Sequence, residues 1–198
     1  KAQIPGCPSI IVCPTSLLYN WKEECARFNP NLKVLVVDGI PSARKKMVDK
    51  IANWDLLVTS YTLLQKDIPL YQEVNFGYVI LDEAQHIKNR GTRNAQSVKM
   101  LQSHHRLALS GTPIENSLED LWSLFDFLMP GLLSSFDRFS EKYVRAPKQE
   151  QVENIAYLRR KISPFILRRM KEDVLKELPA FEEIEYHCQL SDLQLDLY

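Results

Sequence analysis

Glycine is scarce in this chain: six residues in 198, at positions 6, 39, 77, 91, 111 and 131, where an average protein carries about 7%. The nearest pair, Gly77 and Gly91, is 14 positions apart. A phosphate-binding P-loop needs two glycines five apart followed by Lys and Ser or Thr, and a dinucleotide fingerprint needs three glycines within six residues. Both loops are excluded from these residues. Cysteine is also thin. Cys7, Cys13, Cys25 and Cys188 form no C-x-x-C pair, and His104 and His105 are adjacent rather than spaced as helical zinc ligands. They read as reduced, small apolar residues of an intracellular protein. No apolar run approaches the roughly 18 residues of a membrane span, and the first eight residues lack a signal-peptide layout. Net charge is absent too, with 25 Lys and Arg against 25 Asp and Glu, so nothing pulls the whole chain towards nucleic acid. A 45% hydrophobic and 25% charged composition excludes disorder, collagen and coiled coil.

What charge there is falls unevenly. From Ala84 to Ile114 there is no acid, while Lys88, Arg90, Arg93, Lys99 and Arg106 lie inside. Arg159, Arg160, Lys161, Arg168, Arg169 and Lys171 form a second basic stretch, and residues 172–198 reverse the sign with eight acids against Lys176. Such runs are either solvated faces or contacts for an anionic partner.

Apolar, β-branched runs at 9–13 (SIIVC), 33–38 (KVLVVD), 55–60 (DLLVTS), 78–82 (YVILD) and 106–110 (RLALS) read as strands buried on both faces. Helices are expected between them. One is capped by Thr15 or Ser16, carries Leu17, Trp21, Cys25 and Phe28 on one face and stops at Asn29-Pro30; others cover 41–51 and 92–102, with only a short segment at 61–65. Strands separated by crossovers predict a parallel, right-handed α/β sheet with helices on both faces. After Asn116 the pattern turns helical. Ser117 and Asp120 form a weak capping box ahead of the stripe Leu118, Leu121, Trp122, Phe125 and Leu128. Helices at 135–144, 149–162 and 170–178 follow, and 182–190 reads as an edge strand or an outgoing linker. Trp21, Trp122, Phe125, Phe127, Phe136 and Phe139 are assigned to the core rather than to base stacking.

In an open parallel sheet, functional groups gather at the C-terminal strand ends. Pro14-Thr15-Ser16, Asp38-Gly39, Thr59-Ser60, Asp82-Glu83-Ala84-Gln85 and Ser110-Gly111-Thr112 all fall there. The sharpest is the carboxylate pair after 78–81. An Asp in that place suits Mg²⁺, which takes one or two carboxylates plus waters and substrate phosphates. A Glu beside it suits orienting the water that attacks a γ-phosphate.

The segments IIVCPTSLLYNWKEE (10–24), LLVTSYTLL (56–64), VILDEAQHIKN (79–89), LALSGTPIENSLEDLWSLFDFLMPG (107–131) and ISPFILRRMKEDVLKELP (162–179) occur in this order. Together they resemble the SWI/SNF-type helicase-like ATPases of helicase superfamily two, over nearly the whole chain. The S-G-T triplet and the I-x-P-F-I-L-R-R segment look like that branch rather than like RNA helicases carrying S-A-T. The short spacing between strands looks more like bacterial members than eukaryotic remodellers. The resemblance implies a RecA-like, P-loop NTPase lobe at 1–116 that lacks its first strand and P-loop, a family-specific helical extension at 117–178, and a connector at 179–198 towards a second lobe. The Ala180-Phe181 step departs from the family's Lys-rich pattern, so the resemblance is carried no further than Pro179.

Residue by residue, the resemblance implies that Asp82 and Glu83 are the Mg²⁺-binding and water-activating pair. Gln85 matches the position that links nucleotide to the rest of the lobe. Ser110, Gly111 and Thr112 match the motif that couples hydrolysis to lobe movement. Pro14, Thr15, Ser16, Thr59 and Ser60 match motifs that touch DNA phosphates, and Arg168 and Arg169 match a basic region facing DNA or the other lobe. ATP and Mg²⁺ are the implied ligands of the intact parent, with none expected to bind tightly to these 198 residues alone. Double-stranded DNA and the second lobe are the implied partners, with no membrane. The implied location is the cytoplasm, at the nucleoid in a bacterium or in the nucleus of a eukaryote.

The expected activity is DNA-dependent ATP hydrolysis driving translocation or remodelling of protein–DNA complexes, with this piece inactive by itself. The alternative is a non-catalytic module that binds DNA or protein through the basic stretches and the helical extension. Without the P-loop strand, 106–110 is expected to form a bare sheet edge open to pairing with residues 182–190 or with a second chain.

Overall fold

Strands β1 (Ser9–Cys13), β2 (Val34–Val36), β3 (Leu56–Ser60), β4 (Asn75–Leu81) and β5 (Gln102–Ala108) form one parallel sheet in the order β2-β3-β1-β4-β5. These and all further details come from a computed structural model that describes residues 6–111 and 117–169. The chain divides into two compact units between Ile155 and Ala156.

The first unit holds the sheet. Helices α1 (Leu18–Phe28), α2 (Pro41–Val48), α3 (Tyr61–Tyr71) and α4 (Arg93–Lys99) supply the crossovers between successive strands. The parallel α/β class expected from the alternation is the one found. Alternate residues of the strands other than β5 feed two different cores, as the period-two geometry of a strand requires. Ile10, Val12, Leu57, Val79 and Leu81 join Val48, Leu64, Tyr71, Ala95, Val98 and Phe127 in the larger core. Ile11, Cys13, Leu56 and Val58 join Leu18 on the opposite face, where Trp21 and Cys25 of α1 complete the contact. Each fully buried Leu, Ile or Phe contributes about 1.5–3 kcal/mol relative to exposure.

Three elements depart from expectation. Helix α3 runs to Tyr71 rather than ending near Gln65, with Pro69 accommodated inside it. Strand β5 begins at Gln102, four residues before the apolar RLALS run. It lies at the edge of the sheet among the described residues, so His104 and His105 stay exposed and the usual apolar signal is missing. Leu107 in it is 46% exposed. Neither Thr15 nor Ser16 caps α1; they form a 3-10 turn, Thr15–Leu17, closed by the Leu17 amide donating to the Pro14 carbonyl at 2.9 Å.

Helix α5 (Leu118–Leu128) opens on Ser117, whose Oγ accepts from the Asp120 amide at 3.2 Å, as the capping pattern predicts. It packs directly on the sheet unit. The Ser123 hydroxyl donates to the Ile87 carbonyl at 2.7 Å, and Arg106 of β5 donates to the Phe127 carbonyl at 2.7 Å. Trp122 is buried and donates to the Ser134 carbonyl, and Phe125, Phe127 and Phe139 are buried as expected of core residues. Phe136 is only partly buried, with the Arg90 guanidinium 3.8 Å from its ring centre. The region 135–144 is a short helix, α6 (Phe136–Phe139), continued by a π-helical turn at Ser140–Val144.

Helix α7 (Lys148–Ile162) crosses the boundary between the units. In the second unit it ends in the 3-10 turn Ser163–Phe165, whose Pro164 stands where a chain break was expected. The helix expected at 170–178, the segment 182–190 and the connector at 179–198 lie outside the described residues. No described helix is long and apolar enough to cross a membrane.

Candidate functional site

Strand register decides which residues meet. Cys13 pairs with Ser60, Val12 with Leu81, and Leu81 with Ala108, so Ser60, Cys13, Asp82 and Leu109 arrive at one level of the sheet. The ladder continues past the strands. The Asp82 amide donates to the Val12 carbonyl, and the Ala84 amide donates to the Leu109 carbonyl, both at 2.9 Å. The loops after β4 and β5 are therefore tied together at the C-terminal end of the sheet.

Between them the chain makes a sharp turn at Glu83, whose φ of 50° and ψ of 55° are left-handed. A non-glycine residue held in that region costs about 1–3 kcal/mol, and such outliers cluster at functional sites. Two bonds hold the turn. Asp82 Oδ1 accepts from the Glu83 amide at 2.9 Å, and the Asp82 carbonyl accepts from the Tyr61 hydroxyl at 2.8 Å. Tyr61 is the first residue of α3, buried and stacked on His86, and burial together with the Asp82 charge pushes its phenol pKa up.

Side chains then connect in a line. The Gln85 amide nitrogen donates to Glu83 Oε2 at 2.7 Å, and the Ser110 hydroxyl donates to Gln85 Oε1 at 2.9 Å. The structure thus brings together Asp82, Glu83, Gln85 and Ser110. Gly111 follows, exposed, while Thr112 lies outside the described residues. Asp82 has a further partner that the sequence did not announce: the Trp21 indole N–H donates to its Oδ2 at 2.8 Å. Trp21, assigned above to the core, sits half-buried with its polar edge on the site. Only the tertiary fold could show it, because the two residues are 61 positions apart.

The residues expected at DNA separate into two groups. Thr15 and Ser16 are exposed beside the partly exposed Pro14 at the end of β1. Thr59 and Ser60 are buried, at 0% and 1% exposure. The Thr59 hydroxyl donates to the Val37 carbonyl at 3.4 Å, and Ser60 Oγ caps α3 by accepting from the Leu63 amide at 3.2 Å. Their side chains are engaged inside the lobe. The basic stretch 84–114 divides in the same way. Lys88, Arg90 and Arg93 are exposed, whereas Lys99 pairs with Asp126 at 2.6 Å and Arg106 donates to the carbonyls of Leu101 and Phe127. In the second unit Arg168 and Arg169 are exposed.

No group of three His, Cys, Asp or Glu residues among those described is placed to hold a metal ion. Two adjacent carboxylates at a strand end do fit a cation that completes its shell with water and substrate phosphates, as Mg²⁺ does.

Comparisons with known proteins agree with the fold. The chain is 39% identical over 96% of its length to the TATA-binding protein-associated factor MOT1 of Saccharomyces cerevisiae, and spans 11% of that protein. It is 40% identical over 96% of its length to an uncharacterized ATP-dependent helicase of Mycoplasma genitalium, and spans 18% of it. The chain thus covers a small part of the curated relatives it matches. Among solved structures, the SWI2/SNF2 ATPase core of Sulfolobus solfataricus in complex with dsDNA superimposes with a TM-score of 0.77 and 41% identity, covering 88% of this chain and 36% of that one. A family profile for the SNF2-related domain matches residues 2–198. With that profile spanning almost every residue, and a parallel sheet that follows the fold of an ATPase core at such identity, the chain belongs to the SNF2-related domain family.

Proposed function

We propose that the chain forms the nucleotide-facing lobe of a DNA-dependent ATPase, in which ATP hydrolysis drives movement along double-stranded DNA or remodelling of protein–DNA complexes. The observation that carries this reading is the line Ser110–Gln85–Glu83 at the C-terminal end of the parallel sheet. It ties a carboxylate suited to orienting water to the loop that follows the neighbouring strand. The family, and the ATPase cores and ATP-dependent helicases among its similar proteins, support the same assignment.

In this reading Asp82 and Glu83 face the nucleotide's Mg²⁺, Asp82 as the main carboxylate. Bound with ATP, Mg²⁺ neutralises the phosphate charge that shifts during transfer. Glu83 orients the attacking water and accepts its proton, and Gln85 fixes Glu83 by donating to Oε2. Ser110 reports the state of that pair to the loop that it and Gly111 form after β5. Pro14, Thr15 and Ser16, with Arg168 and Arg169, contact the phosphates of DNA, contacts that position a duplex without reading its bases. A second lobe of the full-length protein closes the cleft over the nucleotide.

The 198 residues by themselves do not turn over ATP in this reading. They contain no glycine-rich phosphate loop, and positioning supplies most of phosphoryl-transfer catalysis. In the full-length protein, Glu83→Gln is expected to lower DNA-stimulated ATP hydrolysis by roughly 10²–10⁴-fold while nucleotide binding persists. Hydrolysis at the wild-type rate in that variant refutes the assignment. Mg²⁺-dependent turnover by the isolated chain, abolished by Glu83→Gln, refutes its predicted inactivity.

A further inference from the structure

We infer that Trp21 is a positioning residue for the Asp82 carboxylate, setting its orientation towards the nucleotide-bound cation from the opposite side of the sheet end. The inference rests on the reading of Asp82 as the cation-facing carboxylate. It adds a residue of α1 to a site otherwise built from the loops after β4 and β5 and from Tyr61 of α3.

The geometry is specific. Asp82 Oδ1 accepts from the Glu83 amide at 2.9 Å and Oδ2 from the Trp21 indole at 2.8 Å, so each carboxylate oxygen has a donor and the plane of the group is fixed. One donor is backbone and moves with the Glu83 turn. The other comes from a ring anchored elsewhere: Trp21 packs against the core on the α1 face of the sheet, and Leu18 of the same helix is 1% exposed. The indole is also a donor only, so it cannot switch roles.

The surroundings strengthen the bond. A cleft of about 470 Å³ runs beside α1, lined mainly by the apolar Leu17, Trp21, Cys25, Phe28 and Leu32, with Asn20, Glu24 and Asn29 as its other polar members beside Asp82. A charge-assisted bond is stronger against such an apolar wall than in water, and an unpaired carboxylate there is correspondingly costly. Groups that orient a metal-binding carboxylate typically matter 10–100-fold for metal affinity.

Packing alone makes a different prediction from positioning, and Trp21→Phe separates them. Phenylalanine keeps an aromatic ring against the α1 core and removes only the indole donor. The test is a titration of Mn²⁺ into the full-length protein with ADP, followed by electron paramagnetic resonance, on wild type, Trp21→Phe, Cys25→Ala and Asp82→Asn. Positioning predicts Mn²⁺ affinity about tenfold weaker in Trp21→Phe, largely lost in Asp82→Asn, and unchanged in Cys25→Ala, which loosens the same helix face without touching Asp82.

Wild-type affinity in Trp21→Phe alongside loss in Asp82→Asn overturns the role of Trp21 and leaves the functional reading standing. Unchanged affinity in Asp82→Asn overturns the functional reading itself, and this inference with it. Equal weakening in Cys25→Ala and Trp21→Phe, or a Trp21→Phe protein that no longer folds, assigns Trp21 to the core and likewise overturns the proposal.

Discussion

The Ser110 hydroxyl and the Gln85 side-chain oxygen are joined by a 2.9 Å hydrogen bond across two adjacent strand ends. Gln85 also donates to Glu83 at 2.7 Å, so a single side chain links the Ser110 loop to the carboxylate. One hydrogen bond of this kind is worth about 0.5–1.5 kcal/mol. Ser110→Ala in the full-length protein is therefore expected to lower the DNA-stimulated ATPase rate about 3- to 10-fold with the KM for ATP unchanged. Steady-state kinetics with and without duplex DNA read the difference, and a pure KM effect refutes the coupling.

Ser60 and Ser16 sit at neighbouring strand ends with opposite exposure. Ser60 caps α3, so Ser60→Ala is expected to cost about 1 kcal/mol of stability and to leave the salt dependence of DNA binding alone. Ser16, exposed in the turn before α1, is expected to behave inversely: Ser16→Ala leaves urea unfolding unchanged and weakens duplex binding. Chemical denaturation and fluorescence anisotropy on both variants test the pair. Loss of DNA affinity in Ser60→Ala without loss of stability contradicts the burial argument.

Arg44 of α2 and Asp67 of α3 form a buried bidentate ion pair, with one bond at 2.9 Å and side chains 5% and 10% exposed. Arg44 also donates to the Gly39 carbonyl, in a turn where Gly39 holds a φ of 92°. Asp67→Ala leaves a guanidinium buried without its partner, which costs about 3–5 kcal/mol. Replacing both residues by apolar ones, Arg44→Met with Asp67→Leu, is expected to recover most of that loss. Urea midpoints of the single and double variants decide it.

Alkaline stability follows from two groups at the strand ends. Burial, with a smaller contribution from the Asp82 charge, pushes the Cys13 thiol up from 9.0 to about 12. The same two causes push the Tyr61 phenol above its ordinary 10.0. Above pH 9 the unfolded chain releases these protons while the native chain keeps them, so the unfolded state binds fewer protons and stability falls as pH rises. The urea midpoint is expected to drop between pH 9 and 10.5, with a shallower slope in Cys13→Ala. A midpoint flat across that window refutes the assignment of these groups as protonated in the native state.

Much of this was readable before any coordinates. Strands β1 and β3 announce themselves as β-branched runs because they lie inside the sheet and are buried on both faces. Strand β5 does not, because an edge strand tolerates His104 and His105 facing solvent, and its apolar end alone looked like a strand. The segment at 61–65 reads as short, whereas α3 continues to Tyr71 with Pro69 inside it. At the site, Asp82, Glu83, Gln85 and Ser110 stand out through their motif. Tyr61 and Trp21 do not: their polar ends reach Asp82 from 21 and 61 positions away, and neither residue type signals such a contact in sequence. Burial separated Ser60 from Ser16, which identical chemistry could not.

The left-handed turn at Glu83 places this site in tension with the rest of the lobe. A backbone with φ of 50° is comfortable for glycine and costly for glutamate. The residue type there opposes fold stability, and selection for thermal tolerance alone would drift towards Glu83→Gly and remove the carboxylate to which the proposed function assigns the attacking water. Stabilising substitutions in this lobe therefore belong in the cores under α1 and α3. At this turn a more stable backbone comes at the expense of the side chain the site presents.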